Sequence, residues 1–376
     1  MAGSGHLDLM HGLPSLRFEA PLSEGEKKFS KMVRVRAWAH TMCSCAHAAF
    51  YCSLLTAVRC HVLENTCFPH SWLAKFQILQ SSSDCLRIGI LGEGHLVKQL
   101  VLVLIQHGNV APMHITISTK RPETFEELMD LGVHCTYDNQ QLAASVDVLF
   151  LCCQLFQLTL VSSQIRGHIS KTCIVYSLVT AVPAKRLQNL LGHSNIVRPQ
   201  YIIQEDPWLY LWEKYRSVVE GLLVQEVVEE TSPFKLKSQK CVKAKWFEEV
   251  LYSVLNACNF LKVPHLSTLR ILNNLLFGVT QGLEALSDPD LFVCESFVTE
   301  LCAQSLSHNS PFPWIDLSSV SAQATPLTKF FNVHPRLQSH FGFVYRMKML
   351  KKTNKPDDDG CCRLRTSEER WMMDWN

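Results

Sequence analysis

The sequence predicts an α/β fold: a doubly wound parallel sheet, preceded by an N-terminal helical extension and followed by a helical C-terminal domain. Three observations predict it. A short apolar run from Leu86 to Leu91 leads into the turn Gly92-Glu93-Gly94-His95-Leu96, and then into residues of helical period. From there to Arg198, apolar runs of strand length alternate with helical stretches, the pattern of a parallel sheet with helices on its faces. Beyond position 202 the apolar residues recur mainly at helical spacing.

The expected organisation is an arm and helical extension over 1–84, a cofactor domain over 85–201, a helical region over 202–350 and a disordered tail over 351–376. A chain of 376 residues suits two or three domains. A net charge of +2 gives no global electrostatic case for nucleic acid or for an anionic membrane. The sixteen cysteines form no CxxC pairs and no regular spacing, and several, such as Cys152 and Cys153, sit inside apolar runs. No continuous apolar stretch opens the chain as a secretory signal would. Free buried thiols in a reducing compartment follow, so a cytoplasmic protein is expected. Asp8, Glu19 and the lack of an Arg-rich pattern argue against a mitochondrial presequence.

Met1 to Ser30 is polar and irregular and reads as a loosely packed arm. Lys31 to Arg59 reads as a helix. Its apolar run, Ala48 to Val58, is shorter than the ~20 residues of a membrane span, so a packed helix and no membrane partner are expected. His40, Cys43, Cys45, His47, Cys52, Cys60, His61, Cys67 and His70 crowd this region. Structural zinc sites pair their ligands at C-x₂₋₄-C spacing. Cys43-Ser44-Cys45 is too tight and the others are scattered, so small buried side chains are expected and no metal.

In the Gly-rich turn, Gly92 supplies the backbone freedom of a tight turn. Gly94 lets a pyrophosphate approach the backbone, and the N-terminus of the next helix faces that anion. Val97 stands where a third glycine usually permits close helix–strand packing, so the helix should be displaced or meet a small neighbour. That helix carries Leu96, Leu100, Val103, Leu104 and His107 on one face and ends at Gly108. Met113 to Ser118 is the second strand, and Pro122 opens a helix with Glu123, Glu126 and Glu127 in its first turns. Val133–Thr136, Val146–Cys153, Thr172–Ser177 and Asn195–Arg198 are the remaining strands, with Ala143 and Ala144 in a short helix.

The end of the second strand selects the nucleotide. An NAD site places a carboxylate about 20 residues past the glycines, on the ribose 2′-hydroxyl. Here Ser118-Thr119-Lys120-Arg121 stands in that place. No carboxylate repels a 2′-phosphate, Arg121 can fork onto its oxygens and Lys120 adds a point charge. The cofactor is therefore read as NADP (NADPH), in a Rossmann-like domain.

The segments IGILGEGHLV and ISTKRPE and the Asp138-Asn139 turn resemble the cofactor domain of pyrroline-5-carboxylate reductases, which the related NADP-dependent oxidoreductase domain proteins share. The resemblance covers Leu86 to Tyr201. It implies that Gly92, Glu93, Gly94, His95 and Leu96 form the phosphate turn, that Ser118 to Arg121 hold the 2′-phosphate, and that Asn139 contacts a ribose. It places Cys152, Cys153 and Gln154, then Ser177, Leu178 and Val179, along the nicotinamide side. It also implies a homodimer joined through the C-terminal helices. The departures lie on the substrate side. Cys153-Gln154-Leu155 replaces the family's Val-Lys-Pro, and Arg198-Pro199-Gln200-Tyr201 keeps only the arginine of the segment after the sixth strand. No Gly-Gly-Thr-Thr motif stands in Trp246 to His340. Proline synthesis is not implied.

In the C-terminal half, Gly221 interrupts the apolar run Val218–Val228, and Ser232–Lys245 is a basic segment read as a solvated loop, with no nucleic-acid partner. Trp246–Leu261, Leu266–Leu286 and Leu291–Leu306 read as helices, and Ala324–Leu350 as a helix with breaks at Pro326 and Pro335. Hydride transfer to a C=N or C=O bond needs a proton donor. Tyr176, Ser177, Arg198, Tyr201 and His95 are candidates, and no catalytic acid is assigned. Ser177 and Arg198 are the expected substrate contacts, Arg198 on an anionic substrate or on the pyrophosphate. The expected function is hydride transfer between NADPH and a small imine or carbonyl substrate. The rival is a non-catalytic NADPH-binding or interaction protein that kept the cofactor fold.

Overall fold

Apolar runs too short for helices pair into one sheet of six strands: β1 (Ile88–Gly92), β2 (Ile115–Ser118), β3 (His134–Thr136), β4 (Val148–Cys152), β5 (Ile174–Ser177) and β6 (Ile196–Val197). All pairings are parallel and the order is β3-β2-β1-β4-β5-β6. The order reverses between β1 and β4, which opens a crevice at the carboxyl ends of those strands. The computed structural model describes residues 22–66, 85–203, 206–215, 217–234, 241–278 and 291–350.

β4 is buried at every position, as a central strand covered on both faces must be. Its side chains alternate between two cores. Leu149 and Leu151 face a core with Leu142, Leu158, Ile165, Leu187 and Leu191. These come from the helices that follow α3 (Glu126–Asp130): α4 (Asn139–Ser145), α5 (Leu158–Ile165) and α6 (Ala184–Leu191). Val148, Phe150 and Cys152 face a larger core, shared with α2 (His95–His107) and with a 43-residue helix, α1 (Glu24–Thr66).

α1 is longer than the expected 31–59 segment. From Met42 to Leu55 every residue is buried, because one side lies on α2 and the sheet and the other is covered by the C-terminal helices. A helix apolar all round is one buried all round. α1 is long and apolar enough to cross a membrane, yet 83% of its apolar window is inside the fold. Arg59 of α1 ion-pairs at 3.1 Å with Asp147, which also takes Arg87 at 3.1 Å. Burial opposes the charge of Asp147, but the two guanidiniums outweigh it and hold the carboxyl below its usual range.

After β6, Ile202 N–H donates to Cys241 O and Lys243 N–H to Gln200 O, stitching the chain's exit from the sheet to the entry of the helical region. There α7 (Asp206–Lys214), α8 (Val218–Gly221), α9 (Gln225–Thr231), α10 (Lys245–Phe260) and α11 (His265–Phe277) are followed by α12 (Glu300–Ser305), α13 (Leu317–Ala322), α14 (Pro326–Val333) and α15 (Arg336–Leu350). Three expectations change. The described parts of Ser232–Lys245 are not a solvated loop: Ser232, Phe234, Cys241 and Val242 are buried, packed into the core against α1 and the C-terminal helices. Leu291–Leu306 is not one helix: a 3₁₀ turn at Cys294–Ser296 precedes α12. The Asn273 side chain bonds both N and O of Phe292, and Ser296 Oγ accepts from Val293 N–H, which holds this backbone out of the helix. The helix starting near Leu266 closes at Gly278, its C-cap, and 279–290 lie outside the described residues. Pro326 and Pro335 act as expected, Pro326 opening α14 beside the cap Thr325 and Pro335 lying between α14 and α15. The expectations for 1–21, Cys67, His70, Lys235, Lys237, Lys240 and 351–376 also fall outside the described residues.

Candidate functional site

β1 delivers the Gly-rich turn to the carboxyl edge of the sheet. A Cβ on Gly92 would lie 2.8 Å from the backbone C and O of Cys152, so the close approach of β4 is what demands glycine there. Gly94 has nothing within 4 Å of such a Cβ and is demanded by its backbone, at φ 87°. Gly92 also takes a positive φ, 155°, as the tight turn requires, and the open space at Gly94 leaves its backbone approachable. Val97 is fully buried in the core containing α1, so a new helical layer packs where the usual glycine would admit close strand contact. Gly94 is the N-cap of α2 and no side chain caps that end, which leaves its N–H groups for an anion. Glu93, Gly94 and His95 are exposed. Gln157 Nε2 donates to Glu93 Oε1 at 3.2 Å and ties this acidic side chain to the β4–α5 loop.

The proposed 2′-phosphate loop divides into an inner and an outer half. Ser118 and Thr119 are buried, and Lys120 and Arg121 are exposed. Ser118 Oγ donates to Asn139 Oδ1 at 2.7 Å, and Asn139 Nδ2 to Gln164 Oε1 at 2.6 Å. Thr119 N–H donates to Thr136 O, and Thr119 Oγ1 accepts from Arg121 N–H. The Asp138 carboxylate caps α4 by accepting from the Gln140 and Gln141 N–H groups. Lys120 and Arg121 are thus exposed charges at this end of β2, with Glu123 exposed two residues further on.

Of the residues expected along the nicotinamide, Gln154 is exposed, but Cys152, Cys153 and Ser177 are buried. Burial pushes both thiols up, Cys153 to about 11, so neither offers a thiolate. Ser177 Oγ accepts from Val179 N–H. Tyr176 is fully buried and its hydroxyl accepts the Trp246 indole N–H at 2.9 Å. As a proton donor it is withdrawn: it belongs to the core. His95 lies on the phosphate turn, away from the ends of β5 and β6.

Those two ends border a cleft of about 530 Å³, lined by Thr180 after β5, Arg198 after β6, Arg36 and His40 of α1, and Tyr201 and Lys243. Arg198 Nη2 donates to Thr180 O at 2.6 Å, its backbone N–H donates to Glu249 Oε2 at 2.8 Å, and its buried Nε has no hydrogen-bond partner. Burial pushes the Glu249 carboxyl up to about 8. His40 also buries an unpartnered Nε2, and burial lowers its pKa. Its ring meets the Tyr201 ring edge-on at 4.8 Å, and Tyr201 stacks on His47 at 5.6 Å. Burial raises the Tyr201 phenol well above its ordinary range, so it keeps its proton.

The sequence reading singled out Arg198 and Tyr201 and missed Arg36, His40 and Lys243 at this cleft. Arg36 and His40 are one helical turn apart and share a face of α1, but nothing local says what that face meets. His40 sits instead in the Cys/His-rich stretch first weighed as a metal site. Among the described residues no group of His, Cys, Asp and Glu is arranged to hold a metal.

A six-stranded parallel sheet in this order, with a Gly-x-Gly turn feeding an uncapped helix at its switch point, defines the dinucleotide-binding oxidoreductase class of fold. Residues 87–181 match the family described as NADP oxidoreductase, coenzyme F420-dependent. NADP-dependent oxidoreductase domain-containing protein 1 of Mus musculus is 34% identical over 346 residues, covering 90% of this chain and 93% of that relative. The chain belongs to this family of NADP-dependent oxidoreductase domain proteins. Pyrroline-5-carboxylate reductase of Escherichia coli (strain K12) is 29% identical over 108 residues, 28% of this chain and 40% of that relative. Among solved structures, a pyrroline-5-carboxylate reductase from Coxiella burnetii aligns with 70% of this chain and 97% of its own, at 15% identity and a TM-score of 0.30.

Proposed function

We propose that the protein is an NADP-dependent oxidoreductase that transfers a hydride between NADPH and a small imine or carbonyl substrate. The observation that carries this reading is the cleft between Thr180, Arg198 and α1, on the same strand edge as the Gly-rich turn. Its size suits a small ligand, since ligand pockets run to about 300–1,000 Å³. The residues of the turn and of the β2 edge fit the cofactor: α2 offers N–H groups to a pyrophosphate, and Lys120 and Arg121 offer charge to a 2′-phosphate. NADPH supplies the hydride when bound. The chain would supply the surroundings: Thr180, His40, Tyr201 and Lys243 are among the protic groups lining the cleft.

Titration of purified protein with NADPH and NADH, followed by nicotinamide fluorescence, tests the reading. NADPH-selective binding, with oxidation of bound NADPH by a member of an imine and carbonyl panel, is the expected result. Tight NADPH binding with no turnover on any member would favour the second reading, a non-catalytic NADPH-binding protein. One observation favours that reading: the ends of β4 and β5 are covered, with Cys152, Ser177 and Leu178 all under 10% exposed. The homodimer implied by the family belongs to the same proposal, and light scattering on the eluted protein would test it.

A further inference from the structure

We infer that the hydrogen bond between Glu93 and Gln157 is a latch across the dinucleotide crevice, which must open before the pyrophosphate and nicotinamide half of the cofactor can enter. This rests on the proposed NADPH-binding reading and adds how entry to that site is controlled. The sheet order reverses between β1 and β4, and the crevice of such a sheet lies outside the carboxyl ends of those strands. Glu93 belongs to the turn that leaves β1, and Gln157 to the turn that leaves β4. Their side chains meet there, Gln157 Nε2 donating to Glu93 Oε1 at 3.2 Å. The bond spans the opening through which a dinucleotide has to pass.

Gln157 is set for this task by its own turn. Its backbone N–H donates to Gln154 O at 3.0 Å, and its side-chain Oε1 accepts from Gln154 N–H at 3.2 Å. With Oε1 engaged in the turn, the amide presents its donor end to the carboxylate. A bond to an ionised acceptor is stronger than one to a neutral group. Core packing does not hold the tip of the turn: Leu155 and Phe156 are 55% and 78% exposed. The latch can therefore break without disturbing the interior. Glu93 also directly precedes Gly94, the N-cap of α2, whose end no side chain caps. A pyrophosphate drawn to that end would meet the Glu93 charge on the same turn. A site that is open for only a fraction of the time binds its ligand more weakly by that fraction. One hydrogen bond of this kind is worth about three- to tenfold.

The test is calorimetric titration of the full chain, wild type and the variants Gln157→Ala, Glu93→Ala and both together, with NADPH and with adenosine 2′,5′-bisphosphate. The bisphosphate reaches the Gly-rich turn from the β2 edge and has nothing to place between the β1 and β4 turns. Gln157→Ala should bind NADPH about three- to tenfold more tightly than wild type, and the bisphosphate with unchanged affinity. Adding Gln157→Ala to Glu93→Ala should bring no further gain, since the same bond is lost only once. NADPH binding by the variants but not by wild type would be the latch in its strongest form. With wild type binding NADPH, an unchanged or weaker affinity in Gln157→Ala, an equal gain for both ligands, or additive gains in the double variant would overturn the latch and leave the cofactor reading standing. No binding of either ligand by wild type or any variant would overturn the cofactor reading, and the latch with it.

Discussion

Trp246 of α10 donates its indole N–H to the Tyr176 hydroxyl of β5 at 2.9 Å, and both side chains are buried. One bond therefore pins the helical region to β5, the strand beside the β6 edge of the sheet. Tyr176→Phe would leave the indole N–H buried and unpaired, at a cost of about 1–3 kcal/mol. Denaturant unfolding should show a lower midpoint with an unchanged slope, while NADPH affinity stays within error. An unchanged midpoint would mean that this bond contributes nothing to holding the two regions together.

Lys120 and Arg121 are exposed positive charges at the end of β2. Replacing both with alanine should weaken NADPH binding by roughly 10- to 100-fold, the loss of one or two charge-assisted hydrogen bonds. NADH binding should change little. Equal losses for the two nucleotides in a fluorescence titration would remove these residues from the 2′-phosphate site.

Two tightly packed glycines, Gly92 and Gly221, should respond differently to alanine. At Gly92 the new Cβ meets Cys152 backbone at 2.8 Å, which cannot swing aside. Gly92→Ala should cost about 1–3 kcal/mol by overpacking and spread the turn. At Gly221 the Cβ meets the Met42 Cε tip at 2.6 Å, and a thioether end can rotate away. Gly221→Ala should therefore lower the melting temperature less than Gly92→Ala, and it should leave nucleotide binding intact. The opposite ranking would place the stricter packing constraint at α1 rather than at β4.

Glu249 links stability to pH. Its carboxyl titrates near 8 in the folded protein against an ordinary value of 4.5. Between those values the folded chain keeps a proton that the unfolded chain releases. The contribution is therefore complete below about 4.5, declines as pH rises and is gone above about 8, at up to about 1.4 kcal/mol per pH unit. Glu249→Gln removes this dependence and keeps an acceptor for Arg198 N–H. Subtracting the variant's stability curve from the wild type's cancels the opposite trends of His40 and His193, whose pKa values burial lowers. A flat difference curve from pH 5 to 8 would show that Glu249 is ionised throughout.

Legibility in the sequence followed the range of the interaction. β1, the Gly-rich turn and α2 are contiguous, and the apolar runs of β4 and β5 need only their neighbours to declare themselves. The strands observed are shorter than those expected at both β2 and β4, since end residues such as Met113 and Val146 do not join the ladder. The Leu291–Leu306 segment misled because its apolar spacing is helical, while Asn273, far away in sequence, captures Phe292.

What the sequence by itself determined is the parallel sheet, the Gly-rich turn and the basic end of β2. Strand period, glycine placement and charge at one strand end are properties of consecutive residues. The tertiary structure alone decided that α1 is buried on all sides, that Gly92 is demanded by Cys152, and that Arg36, His40, Arg198 and Lys243 share a cleft. Those outcomes depend on which surfaces meet, and a helix such as α1 can bury residues from Met42 to Leu55 only after the sheet and the C-terminal helices have closed around it.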